Sequence, residues 1–251
     1  MIVAAGLMLV SLVGGGTIWW YTASPSPVLL AANAGGSQNT DDTAMPGSGT
    51  ATGSSPDATQ ALRSFLGVPV AGRTIGFVID DDTAMAPYFD DSAFLTWAVA
   101  SARDVDTSQF AIAVARDGPP SVLPPTRVTE AGLASANSTL YSRFPANQTD
   151  LTAAMRSAAD WDADHVFLVL ASPASPDTIE TLVQQARQSG AVTHVFALGA
   201  AARSHADFAM IARATGGTFL AVDDAMFHRV IQAGRLAVVA RKYKIEKETR
   251  N

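Results

Sequence analysis

Three consecutive carboxylates, Asp80, Asp81 and Asp82, close a short apolar run and are followed by Thr83. Carboxylate oxygens gathered at one loop suit a hard cation such as Mg²⁺, which takes near-octahedral oxygen ligands and fills gaps with water. Without a cation, three like charges side by side raise at least one pKa. Capping of neighbouring loop and helix amides is the ordinary use of such carboxylates, and it is the expected one here. A second oxygen-bearing loop, Asn147-Gln148-Thr149-Asp150, lies further along the chain. Other chemistries find little support. There is no Gly-x-Ser-x-Gly elbow, no His-Glu-x-x-His pair, no phosphate-cradling Gly-x-x-x-x-Gly-Lys and no cysteine. Ser172 and Ser175 have no evident base, and the four histidines are scattered, with His165 and His194 at strand starts where hydrogen-bonded surface histidines are common.

The elements that must position these loops alternate. Apolar runs at Thr74 to Ile79, Phe110 to Ala115, His165 to Leu170, Val192 to Leu198 and Gly217 to Val222 read as buried parallel strands. Helical spacing spans Phe94 to Ala102, Leu133 to Phe144, Leu151 to Trp161, Pro176 to Gln188 and Ser204 to Thr215, and a last helix starts near Asp224. Thr149 or Asp150 suits an N-cap, and Gly190 a C-cap. The prolines at 119, 120, 124 and 125 read as a turn. This order predicts an α/β fold, doubly wound, with a mostly parallel sheet and helices on both faces. Ligands of such folds bind where strand order reverses, at the carboxyl ends of strands, which selects the loops at Asp80 to Thr83, Asn147 to Asp150 and Ala171 to Ser175.

Outside the domain the composition changes. Residues 1–22 read as a transmembrane anchor: no charge falls between Ile2 and Tyr21, Leu7, Leu9 and Leu12 lie within the apolar run, and Trp19 and Trp20 end it at headgroup level. About twenty such residues span roughly 30 Å of hydrocarbon. A retained anchor is expected over a cleaved signal, because the small-x-small pattern Ala32-Asn33-Ala34 lies too far beyond the run. Residues 23–60 are rich in Ser, Gly, Thr and Pro and read as a flexible linker. The domain is expected over 61–232, with a basic helix or tail over 233–251. The net charge of −6, with every lysine at or beyond Lys242, excludes a nucleic-acid surface. The basic tail reads as a solvated helix end, with contact to lipid headgroups or an acidic partner as the sharper reading. With no Lys or Arg before Arg63, an extracytoplasmic (periplasmic) domain on a single-pass anchor is expected.

The loops and strands together resemble the von Willebrand factor type A domain. FVIDDDTAMAPYFD is similar to that family's first strand followed by Asp-x-Ser-x-Ser, and NQTDLTAAM resembles its threonine-bearing loop. VTHVFALGAAARSHADFAMIARATGGTFLAV resembles its closing strand, helix and Gly-Gly strand. The resemblance covers residues 70–225 and implies a Mg²⁺ site with Asp80, Asp82 and Thr149 as ligands. Two further ligand places hold Ala84 and Ala171, so the site is expected to be vestigial and no cofactor to be carried, Mg²⁺ being the alternative. Asp80-Asp81-Asp82-Thr83 also resembles the haloacid dehalogenase phosphatases, whose Asp-x-Asp supplies a nucleophile and a general acid. That family needs a lysine this domain lacks. The expectation is a non-enzymatic interaction domain, a scaffold or accessory subunit with other protein subunits of a membrane complex (respiratory, photosynthetic or secretion-type) as partners. The alternatives are a metal-dependent adhesion domain and, further off, an aspartate-based phosphatase.

Overall fold

A short hairpin, β1 (Ser64–Phe65) and β2 (Val68–Pro69), precedes six longer-range strands. These are β3 (Thr74–Ile79), β4 (Gln109–Arg116), β5 (Gly118–Arg127), β6 (His165–Leu170), β7 (Val192–Leu198) and β8 (Phe219–Val222). This computed structural model describes residues 62–141 and 149–249, apart from the side chains of 204, 205 and 243–249. The six strands form one sheet in the order β5-β4-β3-β6-β7-β8, all parallel except β5, which runs antiparallel to β4. The parallel alternation expected from the apolar runs is therefore present. The predicted anchor (Leu7, Leu9, Leu12, Trp19, Trp20) and the linker lie outside the described residues. Among the described residues no helix is long and apolar enough to cross a membrane.

Helices cover both faces. On one side lie α1 (Phe89–Ser101), α2 (Glu130–Tyr141) and α6 (Asp224–Thr249), together with the hairpin. On the other lie α3 (Leu151–Ala158), α4 (Pro176–Ser189) and α5 (His205–Thr215). Because side chains alternate along each strand, the two faces carry different chemistry. The α1 side receives Phe77, Phe167 and Phe196, and Phe65 from the hairpin sits against all three at 5.2–5.4 Å between ring centroids. The α3 side receives smaller residues, including Ala111, Ala113 and Ala197. One layer is filled by rings and the other by closely approaching helices.

Three boundaries differ from the sequence reading, each for a physical reason. The four prolines of the supposed turn belong to β5, a ten-residue strand. Proline has no amide to donate and is tolerated at a sheet edge, and β5 is an edge with two register irregularities against β4. Helix α1 begins at Phe89, ahead of the expected Phe94, because Asp90 and Asp91 favour a first turn. Helix α3 stops at Ala158, and the chain turns through Asp162 (φ 48°) so that Trp161 folds onto the sheet. It lands on Gly76 in the middle of β3. A Cβ at position 76 would sit 2.6 Å from the Trp161 ring.

That contact yields a test. Gly76→Ala forces the indole or the strand to shift and is expected to cost about 1–3 kcal/mol. In urea unfolding the midpoint should fall with the slope unchanged, since the surface exposed on unfolding stays the same. An unaltered midpoint would show that Trp161 does not rest on this strand.

Candidate functional site

Strand order reverses at β3, which lies between β4 and β6, and the three aspartates leave its carboxyl end at that point. The Asp80 amide donates to the Val169 carbonyl at 2.9 Å, continuing the β3–β6 ladder one residue past the strand. All three aspartates are buried. Buried carboxylates need partners, and each finds one on a different neighbouring element.

Asp80 Oδ1 accepts from the Thr149 hydroxyl at 2.5 Å, one residue before the α3 cap. Asp81 Oδ2 accepts from Arg116 Nη1 at 2.9 Å, at the end of β4. Asp82 Oδ1 accepts from the Met85 amide at 2.9 Å and caps the short 3-10 turn Thr83–Met85. Asp82 Oδ2 accepts from the Ser172 hydroxyl, just beyond β6. Asp150, not Thr149, caps α3 by accepting from the Ala153 amide, and its own amide donates to the Arg116 carbonyl.

The electrostatics follow from burial. Desolvation pushes the Asp80 carboxyl up to about 6, and the charge of Asp82 adds to this. The Thr149 hydroxyl and the amides of Asp82 and Asp81 pull in the opposite direction. Asp80 therefore ionises far above the ordinary carboxylate range while sitting 3 % exposed.

Of the sequence-assigned ligands, Asp80 and Thr149 meet directly, whereas the Asp82 side chain is directed to Met85 and Ser172. The arrangement does not fit the Mg²⁺ site implied by the resemblance. Both Asp82 oxygens already accept hydrogen bonds, and the Thr149 hydroxyl gives its proton to Asp80. Ala171 is fully buried and offers a methyl group, and Ala84 packs against the apolar core. Among the described residues no group of three or more His, Cys, Asp or Glu side chains is arranged to hold a metal ion. Sequence reading missed Arg116, and it selected the loop that holds Ser172 without giving that serine a carboxylate partner. Their one signal is position: each stands at the carboxyl end of a strand flanking β3.

A second polar pair lies toward the amino ends of β6 and β7, at the opposite end of the strands. His194, only 6 % exposed, accepts at Nδ1 from the Thr218 amide at 3.1 Å. Its Nε2 must then carry the hydrogen and donate to His165 Nδ1, also at 3.1 Å. The expected surface histidine is thus a buried one at position 194. Burial and the neighbouring His165 lower its pKa to about 4.

No protein-family model matches the chain, and no curated protein sequence does. Among solved structures, the chain is similar to a von Willebrand factor type A protein from Catenulispora acidiphila, with a TM-score of 0.50 at 14% identity. That match covers 67% of this chain and 43% of the other, so the chain spans less than half of that protein. Other similar structures are the SpRpn10 VWA domain (TM-score 0.49, 10% identity, 64% of this chain and 94% of the other) and the pilus adhesin SpaC from Lactobacillus rhamnosus GG (TM-score 0.48, 9% identity, 67% and 30%). At these identities the likeness is one of fold: a von Willebrand A-like α/β sheet.

Asp80 has a measurable signature. The folded state holds its proton more tightly than the unfolded chain does, so its contribution to stability is full below about pH 4 and is lost as pH rises through about 6. His194 runs the other way: its contribution is present above about pH 6.5 and lost as pH falls toward about 4. Asp80→Asn should accordingly stabilise the protein by about 1–2 kcal/mol at pH 7, with the gain vanishing near pH 4. Thr149→Val, followed by carboxyl NMR, should move the Asp80 midpoint above that of the wild type. A pH-independent effect of Asp80→Asn would refute the assigned titration.

Proposed function

We propose that this chain is a non-enzymatic protein-interaction domain, held at a membrane by residues 1–22 and serving as a scaffold or accessory subunit of a membrane complex. The observation that carries the reading is the consumption of the aspartate cluster by its own neighbours. Carboxylates that meet a ligand must turn outward, and here the bonds to Thr149, Arg116, Met85 and Ser172 draw all three side chains toward the domain's own elements. A von Willebrand A-like domain whose ion site is spent internally has its helical surfaces left for recognition.

The same geometry argues against turnover on an aspartyl phosphate. Asp80 lies beneath the surface, and Asp82, which would act as general acid, is engaged at both oxygens. Arg116, the cation bonded within the triplet, is paired with Asp81. Membrane attachment, and an extracytoplasmic position for the domain, rest on the uncharged run from Ile2 to Tyr21 and the absence of Lys or Arg before Arg63.

Two measurements test the reading. Purification from native membranes in mild detergent should return the chain with stoichiometric companion proteins, and a clean monomer would overturn it. Millimolar Mg²⁺ or Mn²⁺ should leave the melting temperature unchanged. A rise abolished by Asp80→Ala would instead establish the metal-dependent adhesion reading.

A further inference from the structure

Helix α6 is apolar on two sides. Its inner side packs Phe227, Ile231 and Ala237 into the domain, and Gly234 lies close to Leu95 and Phe94. On its outer side Leu236 is 58 % and Val239 44 % exposed, and Ala233 and Ala240 are exposed beside them. These four residues follow helical spacing, so they form one continuous outward ridge. Between Ala225 and Ile245 the helix contains no acidic residue, whereas Arg229, Arg235, Arg241, Lys242 and Lys244 are all basic. In a chain of net charge −6 this is a strong segregation.

The nearby carboxylates are already committed. Asp91 accepts from Arg235 at 2.7 Å, Asp223 from the Met226 amide, and Asp224 from the Tyr88 hydroxyl. Arg241 reaches the Ser101 carbonyl at 2.7 Å, which fixes the helix on α1 with its ridge outward. A basic helix with an exposed apolar crest suits a flat anionic surface. A second copy fits poorly, because two-fold antiparallel pairing on the ridge would bring together the basic flanks of two identical helices, Arg229 and Lys242 among them. A partner helix seeking a concave seat would find one on the other sheet face, in the groove of about 600 Å³ between α4 and α5 lined by Ile179, Val183 and Met210.

We infer that the outer ridge of α6 docks on an anionic lipid bilayer, through Leu236 and Val239 at the acyl boundary and Arg229 and Lys242 at the phosphates. The inference rests on the membrane-anchor reading only for bringing the domain close to a bilayer. Docking would fix the domain's orientation and leave the α3–α5 face pointing away from the lipid.

The chain has no cysteine, so Ala240→Cys gives a single labelling site, with Gln184→Cys on α4 as the control. Full-length protein carrying an environment-sensitive dye is placed in nanodiscs of neutral phosphatidylcholine or of phosphatidylcholine with phosphatidylglycerol. Co-elution with both kinds of disc reports the anchor independently of α6. The expected result is blue-shifted emission and iodide protection at position 240 only in anionic discs, reversed by salt, with position 184 unaffected. Leu236→Asp should abolish the shift, and Lys242→Glu should weaken it on the order of tenfold. If the chain fails to enter discs, the ridge alone should still recruit it to anionic and not to neutral vesicles. Equal emission in the two lipids overturns the inference. Shielding through disulfide-linked pairs of chains, or only on adding polyglutamate, assigns the ridge to a second copy or an acidic polypeptide and overturns it as well.

Discussion

Three adjacent buried carboxylates cannot share one partner, and that constraint organises the upper edge of this domain. Asp80, Asp81 and Asp82 leave the central strand in succession, and each takes its hydrogen bond from a different direction: the approach to α3, the end of β4 and the start of the loop after β6. The partners stand 69, 35 and 90 residues away in the chain. The triplet therefore works as a clasp that closes three crossovers at one point. A buried ion pair such as Asp81 with Arg116 adds little net stability compared with an apolar pair, but losing one member is costly. Its contribution is to the register of the loops.

The clasp also gives the carboxylates of this loop a use within the fold itself. Asp82 caps the 3-10 turn and accepts from Ser172. Asp80 remains the misfit, held by one hydroxyl and a few amides and pushed up to about 6 by burial.

Much of the architecture was legible because its signals are local. β3, β6 and β7 coincide with continuous apolar runs, since strands buried on both faces need no alternation. Ser175 and Gly190 bracket α4 with a side-chain cap and a left-handed residue (φ 69°), both readable as punctuation. What escaped was set at a distance. The prolines of β5 look like a turn until β4 is placed beside them, and nothing near Arg116 or Ser172 reveals a carboxylate. Trp161 likewise extends a helical pattern on paper, yet the space above Gly76 draws it out of the helix.

The proline content of β5 has one more consequence, for the kind of company this sheet can keep. An open edge normally offers a row of amides and carbonyls on which a foreign strand can grow, by augmentation or in aggregates. Pro119, Pro120, Pro124 and Pro125 leave this edge strand four amide donors short, and the opposite border, β8, runs for only 4 residues. The sheet is thus a poor template for lateral extension at either margin, which leaves helices and loops as the surfaces better suited to recognition.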